Sequence, residues 1–87
     1  MKEDLLELEI FLDRSKIRKE VLEKLDEKEQ VAIFLAKKMK KHRSAISRAL
    51  GELNKKGLVI CTNPDESNYK KYKISETGKK LLLEINK

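Results

Sequence analysis

Cysteine and histidine are almost missing from this chain: each occurs once in 87 residues, as Cys61 and His42. A lone cysteine excludes an internal disulfide and fits a reducing compartment. One cysteine and one histidine also leave no cluster at metal-ligand spacing, so neither a metal nor any other cofactor is expected. Cys61 reads as a small strand residue. His42 reads as a turn or phosphate-facing residue, because no serine, cysteine or aspartate constellation accompanies it. No catalytic role is expected. No apolar run approaches the roughly 20 residues that span a bilayer, and the acidic start MKEDLLELE lacks the basic region of a secretory signal. The expectation is a soluble, cytoplasmic protein without a membrane partner. Internal repeats, low-complexity tracts and linkers are missing too. A chain this short removes only about 60 to 65% of its unfolded surface on folding, so one domain over residues 1–87 with a small core is expected.

What the chain has in quantity is charge, with 21 Lys and Arg against 15 Asp and Glu. Both signs occur and apolar residues recur throughout, which argues against disorder. The basic excess is local. Residues 1–36 hold seven bases against ten acids, residues 37–56 eight against one, and residues 57–87 six against four. The single acid of the middle segment is Glu52. A basic stripe on a helical pair is the electrostatic footprint of nucleic-acid binding.

The pattern of apolar residues places that stripe on helices. Ser15 can cap a helix whose Ile17, Val21, Leu22 and Leu25 fall on one face. The polar stretch DEKEQ ends it, and after Val31 a second short helix is expected on Ile33, Phe34, Ala36 and Met39, where small Ala36 permits a close crossing. The turn KKH follows. A third helix begins near Arg43 or Ser44, with Ile46, Ala49, Leu50 and Leu53 on its buried face and Arg43, Ser44, Ser47, Arg48 and Lys55 on the other. Hydroxyl and guanidinium groups on an exposed helix face suit base edges and phosphates, because they donate several hydrogen bonds without blocking groove entry. A solvated face is the plainer reading. The lopsided charge and the turn of about three residues, the spacing of a helix-turn-helix, favour the first.

Gly57 is expected to close the third helix in a left-handed conformation. LVICTN and YKKYKIS then read as strands, with Tyr72 and Ile74 on one face and Lys71 and Lys73 on the other, joined through the turn cluster PDESN as a hairpin with a loop of about five residues. Tyr69, Lys70, Lys71 and Lys73 on the returning strand suit backbone or minor-groove contact, or equally a Lys-rich edge that resists aggregation. Thr77 can cap a last helix. At the other end LLELEIFL has both helical and strand spacing, and its Leu and Glu content tips it to helix. Apolar faces in the segments 1–13 and 77–87 exceed what one small core needs. They predict either a homodimer interface on Leu5, Leu8, Leu12, Leu82 and Ile85, or packing of both ends on the core.

This order of elements is that of a winged-helix domain, and FLDRSKIRKEVLEKL, LAKK, RSAISRALGELNKKGLV and YKISETGKKLL resemble archaeal winged helix-turn-helix transcriptional regulators of the ArsR-like and MarR-like kind. The resemblance covers about residues 11–84. It implies an α+β, mainly α fold: a three-helix core, a two-stranded wing and flanking N- and C-terminal helices. It implies a partner, double-stranded DNA, with the third helix in the major groove and the wing on the flanking backbone or minor groove. Arg43, Ser44, Ala45, Ser47 and Arg48 then take the base-reading positions. Lys37, Lys38, Lys40, Lys41, His42 and Lys55 flank phosphates, and Asn68, Tyr69, Lys70 and Lys71 form the wing. Family members often carry Gly-Leu-Ser in the turn where this chain has Lys40, Lys41 and His42, so a lysine is expected at positive φ. The Cys-Val-Cys motif of arsenic-type repressors is absent. A winged helix can also serve as a protein-interaction module of a transcription or replication assembly. Such a module would show acids on the third helix, where only Glu52 lies. Basic charge alone does not separate DNA from RNA.

Overall fold

The computed structural model describes residues 4–86. Residues 1–3 of the expected first helix and residue 87 of the last lie outside the described residues. Five helices and a three-stranded antiparallel sheet follow one another as α1 (Leu5–Asp13), α2 (Lys16–Glu27), β1 (Gln30–Val31), α3 (Ala32–Met39), α4 (Arg43–Lys55), β2 (Val59–Cys61), β3 (Lys71–Ile74) and α5 (Glu76–Ile85), with sheet order β1-β3-β2. The fold is α+β, mainly α, and has the arrangement of a winged helix-turn-helix.

Side-chain caps set three helix starts. Asp4 accepts from the Glu7 amide at 2.9 Å and Ser15 from the Arg18 amide at 3.2 Å. For α5 the cap is Ser75, not the expected Thr77: its Oγ accepts from the Gly78 amide at 3.0 Å while its hydroxyl donates to the Gly57 carbonyl at 2.6 Å. One hydroxyl thus starts α5 and ties it to the end of α4. The ambiguous N-terminal segment is helical, and the sorting of its side chains shows why. Leu8 and Leu12, one turn apart, are buried, whereas Leu6 and Ile10 are exposed. The strand-like alternation would have placed all four on one side.

Leu22, Leu25, Leu35, Ile46, Leu50, Leu53, Leu58 and Leu81 fill the core, each contributing roughly 1.5–3 kcal/mol by leaving water. On α3 the buried residues are Leu35 and Ala36, while Phe34, expected on the inward face, is exposed. Arg18 fastens α2 to its neighbours. Its Nε donates to Glu52 Oε1 of α4 at 3.0 Å, its Nη1 to the Phe11 carbonyl of α1 at 2.9 Å, and its guanidinium lies 4.1 Å from the centre of the Phe11 ring.

The sheet differs from expectation in two places. β1 arises inside the polar stretch and adds a third strand, Gln30 opposite Tyr72 and Val31 opposite Lys71. A pair of residues carries no periodicity, so only the approach of β3 makes it a strand. The wing loop is also longer than PDESN, running over residues 62–70 and taking in Tyr69 and Lys70. Asn63 is the cause: its Oδ1 accepts from the Lys71 amide and its Nδ2 donates to the Tyr69 carbonyl at 3.1 Å, so a side chain takes bonds that a strand partner would otherwise make.

Candidate nucleic-acid interface

The turn between α3 and α4 determines how α4 is presented. Lys40 adopts the left-handed conformation, φ 56° and ψ 45°, as the replacement of glycine predicts. The Lys41 amide reaches back to the Ala36 carbonyl at 3.0 Å and the Lys40 amide to the Lys37 carbonyl at 3.2 Å, the paired bonds of a Schellman motif. His42 then precedes α4 in an extended conformation without a side-chain cap. Lys37, Lys38, Lys40, Lys41 and His42 are all exposed around this turn.

Along α4 the two faces separate cleanly. Ile46, Ala49, Leu50 and Leu53 are buried, Arg43, Ser44, Ser47, Arg48 and Lys55 are exposed, and Ala45 is half-buried between them. Glu52, the one acid of the basic segment, is occupied by Arg18. That hydrogen bond holds its carboxyl below the usual range; desolvation opposes the shift, and the charges of Arg18, Arg48 and Lys55 assist it. The negative charge is therefore balanced locally.

Between α4 and the wing runs an open groove of about 400 Å³. Arg43, Ser44 and Ser47 of α4 line one side, Ser67, Asn68 and Lys70 of the wing loop the other, with Ala32, Ile33, Leu50 and Tyr72 between them. Burial is the main cause raising the Tyr72 phenol above its ordinary value, and neighbouring Cys61 adds to it. The fold thus brings together expected base-facing and wing residues that lie more than twenty positions apart in the chain. Arg48, Lys55 and the lysines of the turn are exposed outside this groove, and Lys71 lines a separate hollow with Lys38. Ser67 joins the expected set, although a serine in a turn cluster carries no signal of the groove it will line. Tyr69 packs against Phe34 of α3, ring centroids 6.2 Å apart.

The expected dimer residues need correction. Leu8, Leu12 and Leu82 are 3%, 0% and 4% exposed, so they belong to the core and have no surface to offer a partner. Ile85 is half-buried against the same core, and Leu5 is 37% exposed. The outward apolar side chains of the two terminal helices are Leu6, Ile10 and Leu83. Helical phase explains the difference, since the residues with the clearest spacing are those that face inward.

Among the described residues no group of three or more His, Cys, Asp or Glu is placed to hold a metal ion, and no helix is long and apolar enough to cross a membrane. No curated protein and no solved structure matches the chain. A family model does match, the one described as methanogenesis regulatory protein FilR1, N-terminal domain, over residues 7–86, which takes in most of α1 and every later element. Carrying that match over nearly its whole length, the chain belongs to this family of regulator domains.

Proposed function

We propose that the chain is a transcriptional regulator that binds double-stranded DNA sequence-specifically, with α4 in the major groove and the wing on the flanking backbone or minor groove. The observation that carries this is the groove shared by Arg43, Ser44 and Ser47 with Asn68 and Lys70, flanked by the exposed lysines of the turn. Side chains that donate to base edges lie on the outward face of a helix, and cations suited to phosphates surround them. Membership of a regulator family supports the same reading. Surplus apolar surface on the terminal helices adds a homodimer to the reading, with two α4 helices addressing half-sites about one helical turn, roughly 34 Å, apart. We read the chain as non-catalytic and cytoplasmic, acting without a metal or cofactor.

The test is a salt titration on duplex DNA. If Z of the lysines and arginines meet phosphates, log affinity falls with log salt at a slope of about −0.9Z, and a flat response counts against the proposal. Two variants separate the roles. Arg48→Ala should relax base preference by about 1–3 kcal/mol at one position, whereas Lys41→Ala should weaken all duplexes alike and reduce the slope by about one.

A further inference from the structure

Two of the four aromatic side chains, Phe34 and Tyr69, stand in solvent and touch each other. Phe34 is 55% exposed and Tyr69 52%, and their rings are inclined at 39°. Phe11 and Tyr72, by contrast, pack against the core. Leaving large rings in water forgoes the stabilisation that burial brings, and a small core has little to spare. Phe34 also walls an open hollow of about 310 Å³ whose rim carries Lys28, Lys38 and Lys71. The one carboxylate on that rim, Glu29, accepts a hydrogen bond from the Thr62 hydroxyl at 2.8 Å. Three lysines against one carboxylate leave the hollow net cationic, and its volume lies at the lower end of the roughly 300–1,000 Å³ typical of small-ligand sites.

The hollow shares two walls, α3 and the start of β3, with the groove between α4 and the wing, Lys71 and Tyr72 pointing to opposite faces of β3. Ile33 lines the groove and Phe34 the hollow; Lys70 lines the groove and Lys71 the hollow. A base inside a duplex has its faces covered by its neighbours, whereas an unpaired base presents a π face. Such a face stacks on an aromatic side chain whatever the base, while surrounding cations hold the adjoining phosphates. We propose that the Phe34–Tyr69 pair, with Lys28, Lys38 and Lys71, is a stacking site for an unpaired nucleotide of a strand that continues from the duplex held in the neighbouring groove. This rests on the duplex reading above and adds single-stranded DNA as a second ligand class. The backbone that carries the Tyr69 ring is tied across the loop, since the Tyr69 carbonyl accepts from Asn63 Nδ2 at 3.1 Å.

The experiment compares three labelled DNAs at moderate salt: a blunt duplex, the same duplex with a thymidine overhang, and oligothymidylate alone. The wild-type chain should bind the overhang duplex more tightly than the blunt one. Phe34→Ala should abolish that preference and weaken oligothymidylate binding roughly 5- to 150-fold, with blunt-duplex affinity unchanged. The chain has no tryptophan, so Phe34→Trp should retain binding and its fluorescence should be quenched by oligothymidylate and not by the blunt duplex. If Phe34→Ala weakens blunt and overhang duplexes equally, the pair only braces the wing and the proposal is overturned. Oligothymidylate binding that ignores Phe34→Ala overturns it as well. Absence of blunt-duplex binding alone would overturn the duplex reading, while Phe34-dependent binding of oligothymidylate would still support the stacking site.

Discussion

Lys40 and Gly57 do the same work at the ends of α3 and α4, and only the glycine is suited to it. Both sit in the left-handed region, at φ 56° and 73°, and each is followed by a reverse bond into the helix, Lys41 to Ala36 at 3.0 Å and Leu58 to Leu53 at 2.9 Å. A side chain at such a position costs on the order of 1 kcal/mol. Lys40→Gly should therefore raise unfolding free energy by about 1 kcal/mol in urea while weakening duplex binding, because it removes a cation beside α4. A stabilised variant with undiminished affinity would show that Lys40 meets no phosphate. Gly78 is constrained differently. A Cβ there would run into the Leu58 carbonyl and come within 2.7 Å of Ile74 Cγ1, and that carbonyl is held by the Ser75 amide at 2.9 Å. Gly78→Ala should cost about 1–3 kcal/mol by forcing α5 away from Leu58 and the end of β3, measurable as a lowered Tm with no change in helix content.

The helices are held in register by a few polar contacts laid over apolar packing. Arg18 joins α1, α2 and α4 through Phe11 and Glu52, which keeps α4 at a defined angle to the rest of the core. The Arg18 hydrogen bond keeps the Glu52 carboxyl below its ordinary range. A group whose folded pKa is lowered contributes stability above its unfolded pKa and loses that contribution as pH falls through the folded value. Acid should therefore weaken the junction of α2 and α4. Glu52→Gln should be less stable than wild type at neutral pH and should show a shallower loss of stability in acid. Parallel acid limbs for the two proteins would show that Glu52 does not carry the acid sensitivity of the junction.

Across the whole molecule, the basic excess and the outward apolar side chains of the terminal helices lie on different elements. The exposed cations cluster on α3, α4 and their turn, whereas Leu6, Ile10 and Leu83 face outward from α1 and α5, which pack together. A dimer formed through the terminal helices would leave both α4 faces uncovered. Leu6 and Leu83 are 65% and 71% exposed, so charging them should not disturb the core. Sedimentation equilibrium should give about twice the 10.2 kDa chain mass for wild type and the single-chain mass for Leu6→Glu combined with Leu83→Glu. Monomeric wild type at micromolar concentration would refute the interface.

The order of helices, the start of α2 at Ser15, the three-residue turn, the left-handed Gly57 and the inward stripe of α4 were all legible in the chain. Each rests on contacts within a few residues, where periodicity and capping chemistry act. What lay beyond reach depends on partners distant along the chain. β1 exists because β3 comes alongside it, and the wing loop is long because Asn63 bonds to Tyr69 and Lys71. Spacing marked Leu8, Leu12 and Leu82 as helical but not which way each helix turns, and only packing against the rest of the fold decided that they face inward. The chain by itself therefore determined the local elements and the place of the charge, through short-range propensity and patterning. Tertiary structure alone decided which faces stay in water and joined α4 and the wing into one groove, because burial is a competition among all surfaces of the molecule.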